Sequence, residues 1–193
     1  MRGVGDEMAH MKPWMDEESR RETQMPEELL ESIGLRRDMT FADIGCGIGF
    51  YALPAARIVR RKGRVMGVDV DDDSIAQLKS RADGESLTNV RVAVGEAETY
   101  VPCEACADIV FFGMVLHDFR DPAAVLENAR RIVKPGGKLV DFDWRKEQMD
   151  IGPPENIRFS EEKASGLIEA AGFEVTSVEP EGEMFYLISA RPV

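Results

Sequence analysis

The chain of 193 residues is 44% hydrophobic and 31% charged, a composition typical of one ordinary globular domain. Its 24 Lys and Arg against 36 Asp and Glu give a formal net charge of −12, which argues against nucleic-acid or anionic-membrane partners because such partners require clustered cations. The sequence has no apolar run near the roughly 18 residues of a membrane span, no signal-peptide pattern and only three cysteines, so we expect a cytoplasmic single-domain protein.

The first 25 residues are rich in Met, Arg and acidic residues without a sustained period, which predicts an irregular arm over 1–25 and a domain over 26–193. A short helix is predicted over 26–33, because proline stands in its first turn and Gly34 follows its end. Short apolar runs then predict seven strands, over residues 40–44, 64–68, 90–94, 107–112, 138–142, 173–178 and 184–190. Helical patterns lie over residues 50–60 and 72–82, from Val125 to the Pro135-Gly136-Gly137 breaker, and from the N-cap Ser160 to Gly172.

Strands that alternate with helices predict an α/β fold with a doubly wound, mostly parallel sheet and helices on both faces. The last two strands have no helix between them, so we expect them to pair as an antiparallel hairpin. Because ligands of such sheets bind at the carboxyl ends of the strands, the chemistry is expected directly after strands one to four.

A glycine-rich turn follows the first strand. Its glycines stand at alternate positions: Gly45, Gly47 and Gly49. This spacing lacks the third glycine of the dinucleotide fingerprint, which disfavours a nicotinamide cofactor, and no Walker lysine follows. Asp43 at the strand tip would repel a pyrophosphate and would suit a cationic group. Asp69, twenty residues after the last glycine, can accept hydrogen bonds from two ribose hydroxyls.

Five segments together resemble the motifs of the class I S-adenosylmethionine-dependent methyltransferases: residues 41–49, 67–69, 95–97, 112–118 and 131–137. Glu96 departs from the pattern, because the family usually has Asp there. The resemblance covers about residues 26–190. It implies a small single-domain member with a Rossmann-like seven-stranded sheet, in the order 3-2-1-4-5-7-6 with an antiparallel last strand.

The resemblance also implies S-adenosylmethionine as cofactor and S-adenosylhomocysteine as product. By this resemblance Asp43 and the glycine turn face the methionine moiety, Asp69 holds the ribose, and Val70 flanks the adenine. The full set of expected cofactor-binding residues is Asp43, Gly45, Cys46, Gly47, Gly49, Asp69, Val70, Glu96, Ala97, Gly113 and Met114.

His117 and Asp118 follow the fourth strand and are the candidate catalytic residues, since histidine can act as a base near neutral pH. The alternative is that His117 only packs against the cofactor and positions the loop. Cys103 and Cys106 have C-x-x-C spacing without a second pair or a nearby histidine, so we expect no metal. A chance pair is favoured over a reactive dithiol.

A long irregular segment follows the fifth strand, and loops of this length are usually lids or binding loops. It supplies the candidate substrate contacts Trp144, Arg145 and Arg158, and the arm over residues 10–21 is expected to close with it. The sequence therefore predicts a methyltransferase that acts on a small molecule. Two alternatives remain open: a non-catalytic S-adenosylmethionine-binding sensor or partner subunit, and an NAD(P)-dependent oxidoreductase. The sequence identifies neither the acceptor atom nor the oligomeric state.

Overall fold

The computed structural model describes residues 17–193. Six helices are present in this part of the chain: α1 (Glu17–Gln24), α2 (Pro26–Ser32), α3 (Ala52–Val59), α4 (Asp72–Gly84), α5 (Pro122–Ile132) and α6 (Glu161–Ala170). Seven strands accompany them: β1 (Thr40–Ile44), β2 (Arg64–Asp69), β3 (Val90–Val94), β4 (Ala107–Gly113), β5 (Val133–Trp144), β6 (Phe173–Glu181) and β7 (Phe185–Pro192). A short 3₁₀ helix covers Leu116–Asp118.

The strands form one sheet in the order β3-β2-β1-β4-β5-β7-β6. β7 runs antiparallel to both of its neighbours, and the other pairs are parallel. The predicted order and the terminal hairpin are confirmed. The strand order reverses between β1 and β4, where sheets of this type bind their ligands.

Two apolar cores cover the two faces of the sheet, because successive side chains of a buried strand point to opposite sides. Phe111 packs with the helices α2, α3 and α4, whereas its neighbour Phe112 packs with α5 and α6. The expectation of helices on both faces is therefore confirmed. In the described part of the chain, no helix is long and apolar enough to span a membrane.

The N-terminal arm differs from the prediction. Residues 17–24 form α1, in which Glu17 and Arg21 are paired one turn apart and Gln24 is buried. The prediction of an irregular segment was wrong here because a polar helix with one buried residue has no apolar period to detect. Residues 1–16 lie outside the described part, and the domain boundary at residue 26 stays a prediction.

The fifth strand is longer than predicted at both ends. The breaker Pro135-Gly136-Gly137 was expected to end α5, but that helix already ends at Ile132 and the glycines lie within β5. A Cβ on Gly137 would lie 2.9 Å from the carbonyl oxygens of Ala107 and Asp108, so this strand pair requires glycine to approach closely. At the other end, β5 extends to include Asp143 and Trp144.

Candidate active site

The glycine turn after β1 lies at the switch point of the sheet. Gly45 and Gly49 have φ values of 77° and 90°, and a Cβ at either position would lie within 2.6 Å of a side-chain carbon. Both positions therefore require glycine. Gly47 also has a positive φ of 49°, but a Cβ there would meet nothing within 4 Å. The turn is thus packed on one side and open on the other.

Asp69 at the end of β2 joins this turn. Its Oδ2 accepts a hydrogen bond from the Gly47 amide at 2.7 Å and its Oδ1 accepts one from the Asp71 amide at 3.0 Å. A carboxylate can accept about four hydrogen bonds, so acceptor capacity remains for two hydroxyl groups. The N-cap of α4 is Asp71, which accepts from Asp73 and Ser74. Asp69 is therefore not needed as a helix cap.

Asp43 is a buried carboxyl group beneath the same turn. It is 1% exposed, and its Oδ2 has no hydrogen-bond partner within the described residues. Burial, and then the negative charge of Asp69, raise its pKa to about 7. A buried carboxylate without a counter-ion is costly, so a cationic ligand group at this position would stabilise it.

Helix α1 adds hydrogen-bond donors next to the residues that follow the glycine turn. The Gln24 Oε1 accepts from the Tyr51 hydroxyl at 2.7 Å, and the Arg20 guanidinium stacks 4.0 Å from the centre of the Phe50 ring. Arg20 Nε and Gln24 Nε2 are both buried without an acceptor in the described structure. Arg20 is also close enough for its charge to lower the pKa of Asp43.

These unsatisfied groups match the two ends of an amino acid. Within the described residues the Asp43 Oδ2 has no hydrogen-bond donor, and Arg20 Nε and Gln24 Nε2 have no acceptor. An α-ammonium and an α-carboxylate on one ligand would satisfy both, because buried polar groups are nearly always hydrogen-bonded in folded proteins. The residues therefore fit the methionine end of S-adenosylmethionine. Arg20 and Gln24 were missed from the sequence because the arm was predicted to be irregular.

The other predicted cofactor residues surround the same edge of the sheet. Val70 is 65% exposed directly after β2, Glu96 is exposed, and Ala97 is buried. The loop that contains Glu96 and Ala97 is fixed by Asn128, which donates to the carbonyls of Ala97 and Glu98 at 2.9 and 2.8 Å. The remaining three predicted residues lie around the glycine turn and the end of β4. Cys46 is buried, and Gly113 packs against the Tyr51 ring. The Met114 amide donates to the Phe142 carbonyl. Their contacts with a cofactor stay predictions.

His117 lies after β4 and contacts a residue that the sequence did not indicate. Its Nδ1 lies 2.7 Å from Oδ2 of Asp143, whose Oδ1 accepts the Trp144 amide at 2.8 Å. Nδ1 therefore carries the proton in the neutral ring, and Nε2 is left as the basic nitrogen. Nε2 lies 3.4 Å from the exposed Asp118 carboxylate. Burial lowers the pKa of His117, but the hydrogen bond and charge of Asp143, with the charge of Asp118, raise it overall.

Asp143 was missed because the fifth strand was predicted to end at residue 142. A detectable signal was present, since Asp141 and Asp143 alternate with apolar residues in a buried strand, where acids are rarely found without a partner. Asp141 is fully buried, and burial and the charge of Asp143 raise its pKa well above the usual value. Burial and the nearby charge of Asp143 therefore favour the neutral form of Asp141.

The predicted substrate residues have structural partners. Trp144 lies within β5, not after it as predicted, and packs against Phe185 with ring centres 4.7 Å apart. Arg145 pairs with Glu147 and Glu161 at 2.6 and 3.4 Å. Arg158 is 2% exposed and donates to four backbone carbonyls, those of Arg145, Glu147, Ile151 and Pro153. The segment over residues 145–159 is thus organised around Arg158, and direct substrate binding by these three residues stays a prediction.

Cys103 and Cys106 form a disulfide, although their spacing was predicted to be a chance occurrence. Within residues 17–193, the acidic groups close enough to share a cation are those of Asp71, Asp72 and Asp73, which are exposed. Asp71 already caps α4. The expected absence of a metal stays a prediction.

Comparison with known protein families gives one match over most of the chain, a methyltransferase domain over residues 35–178. Among curated proteins, a demethylmenaquinone methyltransferase of Oceanobacillus iheyensis is 27% identical over 113 residues, 58% of this chain and 48% of that protein. An uncharacterized 37.1 kDa protein of a Streptomyces fradiae transposon is 33% identical over 118 residues, 60% of this chain and 34% of that protein. The matched part of these curated relatives is half of their length or less.

Solved structures extend the likeness to nearly the whole chain. A SAM-dependent methyltransferase from Aquifex aeolicus has a TM-score of 0.86 and 29% identity, and the match covers 98% of both chains. The [4+2]-cyclase SpnF has a TM-score of 0.75 at 18% identity, over 94% of this chain and 85% of that one. At that identity the likeness shows the fold alone, which by itself does not fix a reaction. The family match over residues 35–178 and the observed strand order together establish that the chain belongs to the methyltransferase-domain family, with the class I S-adenosylmethionine-dependent fold.

Proposed function

We propose that the protein transfers the methyl group of S-adenosylmethionine to a small-molecule acceptor. The observation that carries this proposal is the set of unsatisfied buried groups at the glycine turn, Asp43 against Arg20 and Gln24, which complements an amino-acid zwitterion. When bound, the cofactor supplies a methyl group that its positive sulfur already makes electrophilic. The work of the chain is then to bind, to orient and to exclude water.

The cofactor-binding roles follow the edge of the sheet. Asp69 would accept hydrogen bonds from the ribose hydroxyls, beside the Gly47 amide that already fixes it. Val70, Glu96 and Ala97 would surround the adenine. The open side of Gly47 would let the ligand approach the backbone without a clash.

His117 would act as the base on the acceptor side. Asp143 orients the ring and stabilises its charged form, so that Nε2 can take a proton from the acceptor as the methyl group is transferred. This arrangement suits an acceptor with a weakly acidic hydrogen, such as a phenol or an enol. One relative is named as a demethylmenaquinone methyltransferase, which supports an acceptor of this general kind. The segment over residues 145–159 would close over the bound acceptor. We also expect the protein to work in the cytoplasm.

Two rival functions are weaker. A sensor or partner subunit that binds the cofactor without chemistry has no need of a buried histidine held by a buried acid. An NAD(P)-dependent oxidoreductase would place a pyrophosphate beside Asp43, where like charges repel each other.

Turnover is the test of this proposal. We expect purified protein with S-adenosylmethionine and a panel of phenols, enols and quinols to form S-adenosylhomocysteine only with particular acceptors. The methylated product should appear in equal amount by mass spectrometry, and an Asp69→Ala variant should give less of both products at limiting S-adenosylmethionine. Tight cofactor binding with no turnover on any acceptor would instead support the sensor.

A further inference from the structure

Among residues 17–193, no helix covers one face of β2 and β3. The helices α3 and α4 pack against the opposite face, while α5 and α6 pack chiefly against the other half of the sheet. The connection from β3 to β4, residues 95–106, contains neither helix nor strand. A cavity of about 510 Å³ lies between this bare face and the connection, a size within the range of small-molecule sites. We refer to this cavity as the basic groove.

Four cationic side chains line one end of the basic groove: Arg61, Lys62, Arg64 and Arg91. Arg64 and Met66 lie on the same face of β2, and Met66 is paired in register with Arg91 on β3. Within residues 17–193 none of Arg61, Lys62 and Arg64 forms an ion pair. In a chain with a net charge of −12, this cluster of unpaired cations indicates an anionic ligand.

Two of these cations follow a turn before β2 whose backbone is fixed by a buried side chain. Arg60 has φ 59° and ψ −173°, a backbone conformation that non-glycine residues rarely adopt. The buried Asn89 stabilises it by donating from Nδ2 to the carbonyls of Ala56 and Arg60, both at 2.9 Å. Residues in such disfavoured conformations are concentrated at functional sites. The turn therefore presents Arg61 and Lys62 from a fixed backbone.

The other end of the basic groove is apolar and includes one aromatic ring. It is lined by Met66, Ala93, Tyr100 and Pro102. A ligand that fills the groove must therefore combine an anionic group with an apolar portion. Arg and Lys are the residues that most often bind phosphate, since they combine charge with several hydrogen-bond donors.

We propose that the basic groove binds a small phosphorylated molecule with an apolar or aromatic body. The phosphate would contact Arg61, Lys62 and Arg64, and the body would lie against Tyr100. This ligand would not compete with the cofactor, because Arg64 and Asp69 are the two ends of β2, about 17 Å apart at about 3.3 Å per residue. The proposal does not rest on the methyltransferase activity.

Calorimetry at low salt tests the anionic end, with inorganic pyrophosphate as the probe. We expect wild-type protein to bind it and the double variant Arg61→Gln/Lys62→Gln to bind it about tenfold more weakly or worse. The matched control is Lys79→Gln/Arg191→Gln, which removes the same charge from exposed positions outside the groove. Circular dichroism verifies that both variants are folded.

The apolar end is tested with 1-naphthyl phosphate against inorganic phosphate. We expect the naphthyl compound to bind about tenfold more tightly, and Tyr100→Ala to remove most of that advantage while leaving pyrophosphate binding unchanged. Absence of pyrophosphate binding to wild-type protein, or an equal loss in the control variant, would overturn the proposal. Equal binding of the two phosphates would overturn the assignment of an apolar body.

Discussion

Asp43 and Asp143 are both buried acids at the carboxyl edge of the sheet, and each is 1% exposed. They differ in how their hydrogen-bonding capacity is used. Asp43 has an oxygen with no partner in the described structure, whereas both oxygens of Asp143 are occupied, by His117 and by the Trp144 amide. The half of the edge that we propose binds the cofactor thus has an unpartnered carboxylate oxygen. In the half that we propose binds the acceptor, the histidine and its acid are already paired.

The largest expected effect concerns the acceptor half. His117→Ala should lower kcat by about 10²–10⁴-fold, the usual contribution of a general base, while measurable turnover remains because alignment of the reactants persists. S-adenosylhomocysteine affinity should change little. Steady-state kinetics with an identified acceptor, together with calorimetry, measures both quantities.

Imidazole added to the His117→Ala variant serves as the control for a purely structural role. We expect partial recovery of kcat if the missing group is a base. A variant that keeps full activity would remove His117 from the mechanism.

The next largest effect concerns the cofactor half. Asp69→Ala should weaken S-adenosylhomocysteine binding by about ten- to a hundredfold, because hydrogen bonds to a charged group contribute about 1.5–3 kcal/mol. Asp72→Ala, three residues further on and exposed, is the matched control and should bind normally. Unchanged affinity in Asp69→Ala, measured by calorimetry, would contradict ribose binding at this position.

The Asp143→Asn variant tests how Asp143 affects the pKa of His117. Because the hydrogen bond and charge of Asp143 raise the pKa of His117, the neutral amide should move the midpoint of the kcat–pH profile to lower pH. We expect kcat above that midpoint to fall by about tenfold as the base weakens. The control is Asp141→Asn, which should leave the midpoint in place because burial already favours the neutral form of Asp141. Identical midpoints in wild type and Asp143→Asn would contradict the positioning role.

The smallest effect is the pH dependence of cofactor binding. Asp43 must be ionised to hold an ammonium group, and its pKa is raised to about 7. S-adenosylhomocysteine affinity should therefore rise with pH, by about tenfold between pH 6 and pH 8. Asp43→Asn should bind weakly with little pH dependence over that range, which separates this effect from titration of His117. A flat wild-type profile would contradict the account of Asp43.

The two halves also differ in how well the sequence predicted them. The glycine turn, Asp43 and Asp69 follow strand ends, so that strand periodicity alone places them at one edge. The pair of His117 and Asp143 joins residues 26 positions apart, and it depends on where β5 ends. That end was missed because acids are uncommon in buried strands, although Asp141 and Asp143 alternate with apolar residues there.

Polar segments were the other source of error. α1 has no apolar period, so neither its helix nor the donors of Arg20 and Gln24 were predicted. Arg158 was predicted as a substrate residue from its place in a long irregular segment, and that role stays a prediction. The hydrogen bonds from its buried guanidinium to four backbone carbonyls were not predicted. Such contacts depend on the path of the loop, which local sequence does not determine.

We infer above all that the unsatisfied groups at the glycine turn bind the amino-acid end of S-adenosylmethionine. The most direct test of this claim is calorimetry with S-adenosylhomocysteine and with 5′-methylthioadenosine, which lacks that end. Wild-type protein should bind S-adenosylhomocysteine more tightly by about tenfold or more, and Asp43→Asn or Arg20→Met should reduce this preference, whereas Arg21→Met should keep it. Equal affinity of the wild-type protein for the two ligands would contradict the claim.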